Sequence, residues 1–274
     1  MPVFSTNDAG LHYEVAGTGA PLLLLHGLGS STLDWQLAVD HFSGRYRVIA
    51  LDFRGSGESR DLRRPSGPFS VPQFADDAAD LLAHLGAAPA HVVGLSLGGC
   101  VALDLAVRHP SSVRSLTVVN SAPRMAVPGA AAMSIVLLRR AIARLFGPRG
   151  MARMLAPKLF PNADQEPLRR MFIDRMARNR RGAYIATQIA VLGWSVRERI
   201  GEITAPTLVV GAEHDYPFLA NKQAWAREMR DATYVEVPGT HHALPVEAPA
   251  AFHAVLDEFL ARHASGVAPR PSDS

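Results

Sequence analysis

Short apolar runs recur along this chain, each too brief for a helix and each closed by a turn former. Leu22-Leu23-Leu24-Leu25 ends at His26-Gly27, and Val48-Ile49-Ala50-Leu51 ends at Asp52. His91 to Gly94, Val113 to Asn120, Thr207 to Gly211 and Thr233 to Val237 repeat the signal. Runs without polar alternation read as strands buried on both faces, the pattern of a parallel sheet. Two further strands, Val3 to Thr6 and Leu11 to Val15, flank the turn signal Asn7-Asp8-Ala9-Gly10. Helical spacing fills the gaps. Val71 to Leu85 carries a stripe at Phe74, Ala78, Leu81, Leu82 and Leu85, and Gly98 to His109 stops at Pro110. Leu219 to Met229 and Glu247 to His263 complete the helices outside the middle of the chain. Strands alternating with helices predict right-handed crossovers and a doubly wound, mostly parallel α/β sheet.

The alternation fails between Pro123 and Ala205, where three or four helical stretches replace the strands. The pattern predicts one core built from residues 1–122 and 206–263, a helical cap inserted at 123–205, and a disordered tail at 264–274. Charge separates the same regions. From Arg124 to Ile200 there are 15 basic and four acidic residues, a net of +11, whereas the remainder holds 13 basic and 21 acidic. Two accounts fit that excess. The arginines either pair with the acidic core across the interface, or some of them rim a pocket and draw in an anionic substrate.

Composition adds exclusions. The whole chain carries only +3 over 274 residues, which makes no case for nucleic acid. A single cysteine, Cys100, allows no internal disulfide. The first residues lack a signal-peptide pattern, and the uncharged run from Met125 to Leu138 is too short to span a bilayer. A cytoplasmic protein that does not bind membranes is the expectation.

The chemistry concentrates at Gly94-Leu95-Ser96-Leu97-Gly98, a Gly-x-Ser-x-Gly element between a predicted strand and a predicted helix. That context is what a nucleophile elbow requires, with a serine forced out of a tight, strained turn. His26-Gly27-Leu28-Gly29 follows an earlier strand, at the place of an oxyanion loop. Backbone N–H groups of Leu28 and Leu97 would then converge on a developing oxyanion, while the His26 side chain packs the loop. Cys100 reads as core filler, and Trp35 and Trp194 as core anchors or as lining of a pocket mouth. The histidines outside these motifs show no metal spacing, and no phosphate or dinucleotide fingerprint is present, so no cofactor is expected.

On these motifs, and on Asp52-Phe53-Arg54-Gly55-Ser56-Gly57-Glu58-Ser59 after the next strand, the chain resembles the α/β-hydrolase superfamily over roughly residues 3 to 263. The resemblance implies a Ser–acid–His order. It places the acid after Thr207-Leu208-Val209-Val210-Gly211, at Asp215, one residue later than the family usually has it. Glu213 is the alternative. The family's His-x-x-x-x-Glu-x-Pro pattern, counted back from Glu247 and Pro249, selects His242 and leaves His241 as a loop-packing neighbour. The acid position some relatives use before the cap is Asn120-Ser121 here, with no carboxylate.

These assignments imply a cofactor-free esterase or lactonase acting on a small molecule through an acyl-Ser96 intermediate. Other triad activities on the same fold are the alternative: carbon–carbon-bond hydrolase, perhydrolase or cofactor-independent dioxygenase. A ligand-binding receptor with a vestigial site is a further one. Oligomeric state is open.

Overall fold

The computed structural model describes residues 2–6, 8–61, 69–125, 129–216, 219 and 221–263; the predicted disordered tail, 264–274, lies outside them. Its strands are β1 (Val3–Ser5), β2 (Ala9–Ala16), β3 (Ala20–Leu25), β4 (Tyr46–Leu51), β5 (Arg60–Asp61), β6 (Ala90–Leu95), β7 (Val113–Val119), β8 (Thr207–His214) and β9 (Ala232–His241). The helices are α1 (Gln36–Phe42), α2 (Val71–His84), α3 (Leu97–Arg108), α4 (Gly129–Leu159), α5 (Glu166–Ala177), α6 (Arg181–Val191), α7 (Lys222–Ala226), α8 (Leu244–Glu247) and α9 (Pro249–His263). The sheet runs β1-β2-β4-β3-β6-β7-β8-β9, with β5 paired beside β2. From β4 to β9 every pairing is parallel, and only the β2 edge is antiparallel.

The unbroken apolar runs become buried strands because their alternate side chains feed two separate core layers. Leu23 and Leu25, Ile49 and Leu51, Leu116 and Val118 enter one layer with α2 and α3. Leu22 and Leu24, Val48 and Ala50, Leu208 and Val210 enter the other, against Trp35, α1 and α9. Helices on both faces of a mainly parallel sheet give the doubly wound fold that the alternation predicts. Two strands reach further than their apolar runs indicate: β8 continues beyond Gly211 to His214, and β9 to His241. The helix expected over Leu219 to Met229 is regular only at Lys222–Ala226.

Strands β7 and β8 are neighbours in the sheet, and helices α4, α5 and α6 lie in the chain between them, the segment for which the sequence predicts a cap. Its entry and exit are clasped together: Met125 N–H donates to Trp194 O, Gly193 N–H to Met125 O and Val196 N–H to Pro123 O. Trp194 is buried, and its Nε1–H donates to Asp104 Oδ2 of α3 at 2.8 Å, which anchors the exit. Inside the cap, Gly147 (φ 66°, ψ −171°) followed by Pro148 breaks α4 into two arms. Ala143, Met151, Ala152, Met176 and Tyr184 form a small apolar core there. Among the described residues no helix is long and apolar enough to cross a membrane.

His91 on β6 is fully buried, with Nδ1 2.7 Å from Ser115 Oγ and no partner for Nε2 among the described residues. Burial, aided by Arg114, pushes its pKa down to about 4 from the ordinary 6.5. Between those values the unfolded chain binds a proton there that the folded chain does not, so stability is full above about 6.5 and falls as pH drops toward 4. His91→Asn is expected to flatten the stability–pH curve in that window by up to about 1.4 kcal/mol per pH unit. Urea melts at pH 7.5, 6 and 5 check this, and parallel curves for the two proteins would contradict it.

Candidate active site

Ser96 sits between β6 and α3 with φ 55° and ψ −112°, a backbone region that non-glycine residues avoid. The strain follows from how closely strand and helix approach. A Cβ on Gly94 would lie 2.1 Å from Gly98 O, and one on Gly98 would lie 2.0 Å from Leu25 O. Both positions therefore exclude any other residue. Ser96 N–H donates to Val119 O, while its own carbonyl accepts from Gly99, Cys100 and Ser121 Oγ. These bonds hold the turn from both sides and leave the hydroxyl at the carboxyl edge of the sheet.

There Ser96 Oγ lies 2.9 Å from His242 Nε2, and His242 Nδ1 lies 2.6 Å from Asp215 Oδ1. Three residues separated by up to 146 positions thus meet in one hydrogen-bonded line. Asp215 has almost no exposed side-chain surface. Burial raises its pKa, but the hydrogen bonds and charges of His242 and then Lys222 outweigh this and hold the carboxyl below its usual range. Tyr216 N–H donates to Asp215 Oδ1 at 2.7 Å, and the Tyr216 ring packs 4.4 Å from the His242 ring.

The unusual spacing before Asp215 has a structural origin. Two steps along β8, Ala212 to His214, face four along β9, Val237 to His241, so the ladder slips at the point where both loops leave the sheet. Glu213 points elsewhere: its Oε2 accepts from Gly239 N–H at 2.7 Å, and its side chain is half exposed. His241 is turned away from Ser96 by Glu247, which accepts its backbone N–H at 2.6 Å and lies 2.7 Å from its Nδ1. Gln165 of the cap also donates to Glu247.

Gly27 abuts the serine, since a Cβ there would lie 3.6 Å from Ser96 Cβ. The next residue, Leu28, packs against both the main core and the cap core. Leu97 opens α3, where amides have no acceptor within the helix. His26 is fully buried and bridges two loops. Its Nε2 accepts Phe53 N–H at 3.1 Å, which leaves Nδ1–H to donate to Gly27 O at 2.7 Å. Burial lowers its pKa, consistent with a neutral structural imidazole. The Asp52–Ser59 loop is fixed in the same manner: Asp52 accepts Thr32 N–H and Glu58 N–H, and buried Arg54 forks onto Asp77 and reaches Asp8. The Cys100 thiol is buried, and its pKa is pushed up to about 12 by desolvation, as befits core filler.

Asn120 and Lys222 carry weight that sequence patterns did not reveal. Asn120 (φ 46°) follows directly on β7. Its Nδ2 donates to His242 O at 2.9 Å, and its Oδ1 accepts Ala212 N–H at 2.8 Å. It therefore ties the histidine loop to the strand that carries the acid. The absence of a carboxylate at this position was the only hint. Lys222 is buried with its Nζ 2.6 Å from Asp215 Oδ2.

Of the cap cations, Arg175 reaches Asp34 of the core, and Arg197 pairs with Glu228. Arg149, Arg169, Arg170 and Arg199 pair with carboxylates nearer in sequence. Arg139 instead lies 5.9 Å over the Tyr216 ring. A cleft of about 410 Å³ walled by Asp8, Arg54, Asp76, Asp77 and Asp80 shares no residue with the Ser96 group. Its carboxylates are largely engaged by Arg54, Arg108 and His109. Among the described residues, no three His, Cys, Asp or Glu side chains gather as metal ligands would.

A sheet of this order with a strained serine at its carboxyl edge and a histidine–acid pair beside it defines a hydrolase class. The chain belongs to the α/β hydrolase fold family, whose model matches residues 20–249. It is 31% identical to a putative carbamate hydrolase, RutD, of Azorhizobium caulinodans, over 93% of this chain and 97% of that protein. It is 27% identical to 3-oxoadipate enol-lactonase 2 of Acinetobacter baylyi, over 96% and 99%. The crystal structure of an enol-lactonase from Burkholderia xenovorans superposes with a TM-score of 0.86 at 26% identity, covering 95% of this chain and all of that one.

Asn120→Ala removes the link between β8 and the histidine loop without touching Ser96, His242 or Asp215. It is expected to lower kcat by about 10- to 100-fold with little change in KM, because a displacement of about 1 Å suffices for such losses. Steady-state kinetics on an aryl ester measure this, and an unchanged kcat would show that the loop holds its place without Asn120.

Proposed function

We propose that the protein is a serine hydrolase that cleaves a small carboxylic ester or lactone through an acyl-Ser96 intermediate. The single observation that carries this is the unbroken line Ser96 Oγ–His242–Asp215, at 2.9 and 2.6 Å. A serine hydroxyl at its free pKa is a poor nucleophile. His242 Nε2 takes its proton during attack and returns it to the leaving oxygen, while Asp215 fixes the Nδ1–H tautomer and stabilises the imidazolium. The tetrahedral oxyanion is received by the amides of Leu28 and Leu97. Water then attacks the acyl-enzyme by the same proton path. No cofactor enters this scheme.

Similarity to an enol-lactonase supports the ester and lactone class, and similarity to a putative carbamate hydrolase extends the useful panel to carbamates. Ser96→Ala is expected to retain the fold and to lose activity by about 10⁴-fold or more. A fluorophosphonate probe should label Ser96 alone in the wild-type protein. Labelling at another serine, or substantial turnover by Ser96→Ala, would remove the assignment.

The substrate we favour carries an anionic group distal to its scissile bond. Arg139 supports this choice, because it brings cap charge to the tyrosine that packs on His242. With a matched pair of esters, one neutral and one with a distal carboxylate, kcat/KM for the anionic member is expected to be the higher. It should fall steeply with salt, and Arg139→Gln should abolish the preference. Identical salt curves for the two esters would leave the cap arginines as surface and interface charges.

A further inference from the structure

We propose that Lys222 is a positioning residue that sets the pH range of the site by neutralising Asp215 from behind; this rests on the triad assignment above. Lys222 opens α7, and its Nζ lies 2.6 Å from Asp215 Oδ2, with the two side chains only 4% and 3% exposed. Burying an ammonium is costly unless a charge compensates it, and here the compensating charge is the triad acid itself. Asp215 Oδ1 meanwhile receives the His242 Nδ1–H and Tyr216 N–H. Both carboxylate oxygens are therefore engaged, Oδ1 by the imidazole and a backbone amide, Oδ2 by the ammonium.

The consequence is electrostatic. A lone buried carboxylate presents a full negative charge to the imidazole and draws protons onto it from solvent as pH falls. An Asp–Lys pair presents a dipole. His242 then stays available as a base at lower pH, because the form that solvent protons would create is less favoured. Lys222 also fixes the rotamer of Asp215, so that Oδ1 faces the histidine.

The other groups around the triad come from several elements. Tyr216 packs on the His242 ring, and Arg139 of α4 lies over Tyr216. His241 is held by Glu247, the half-exposed Glu213 and His214 end β8, the Tyr234 hydroxyl of β9 donates to Glu236 within electrostatic range of Asp215, and the α3 N-terminus lies behind Ser96. All of them persist when Lys222 alone is changed.

The test compares wild type, Lys222→Met, Lys222→Gln and Lys222→Arg by two readouts. One is the pH profile of kcat/KM on a neutral aryl ester. The other is the proton NMR titration of the His242 ring in the Ser96→Ala background, which needs no activity. Removing one unit charge roughly two hydrogen bonds from the imidazole is expected to move the acid limb and the NMR midpoint upward together by about one to two pH units. That is roughly a 10- to 100-fold loss below the limb, with a smaller loss on the alkaline plateau, and Lys222→Arg should restore the wild-type limb. Should Lys222→Met not fold, Lys222→Gln against Lys222→Arg gives the same comparison. A uniform loss at all pH values with an unmoved midpoint would overturn the proposal and make Lys222 a purely structural partner. An NMR midpoint that moves while the wild-type pH–rate profile ignores His242 would overturn the triad assignment, and with it the pH role of Lys222.

Discussion

The approach of α3 to the strands beneath it is the constraint on which the rest of this structure depends. With backbone atoms about 2 Å from where the Cβ atoms of Gly94 and Gly98 would stand, strand and helix are joined by a turn that has room for one geometry. Ser96 accepts a left-handed backbone as a result, and its strain is held by Val119 O on one side and Ser121 Oγ on the other. Because β6 lies between β3 and β7 in a parallel sheet, the loops that leave these three strands all emerge on the same edge. The His26–Gly29 loop, the serine and Asn120 are therefore neighbours by topology before any side chain is considered. This is the carboxyl-edge rule for open α/β sheets, expressed here in a few close contacts.

Around that edge the buried polar groups are fixed by partners, as a low-dielectric environment demands. His26 is held between Phe53 N–H and Gly27 O, Asp52 between two amides, and Arg54 between two carboxylates. None of these groups need touch a substrate. Their effect is to remove freedom from the loops around Ser96, so that the turn and its neighbours are held in one arrangement. Breaking a buried pair such as Arg54–Asp77 by truncating one partner typically costs about 3–5 kcal/mol, which shows how firmly such a loop is held.

Much of this was legible in the sequence, for reasons that can be located. Leu22 to Leu25 reads as a strand because its four leucines feed two core layers, and an amphipathic segment could not do that. Counting back from Glu247 singles out His242 because Glu247 grips His241 by both its backbone and its ring, leaving the next residue free to face Ser96. The late position of Asp215 was less clear, since β8 runs past Gly211 and the ladder slips against Pro238 and Gly239, a compensation spread over two strands. Lys222 left no signal. It sits in Asn221-Lys222-Gln223, which reads as a solvated helix start, and only the tertiary fold turns its ammonium inward.

The cap obeys a different logic from the core, and its charge shows why. A helical segment with net positive charge gains little from exposed ion pairs, whose worth is about 0–1 kcal/mol each, so Arg149–Asp174 and Arg199–Glu202 do not account for its position. What fixes it is the clasp at Met125 and Trp194, the Trp194–Asp104 bond, and the contacts of Asn179 with Gly29 O and of Arg175 with Asp34. Those last two contacts fall on Gly29 and Asp34, in the stretch that follows β3 beside Ser96, so they tie the helical segment to the edge that carries the serine. Substitutions on the outer cap surface are then free to alter charge without disturbing Ser96, whereas Asn179 and Arg175 are not. A Ser96 turn built wholly on the sheet and α3, joined to a helical segment whose outer surface is free to vary, leaves room for that surface to change without rebuilding the turn.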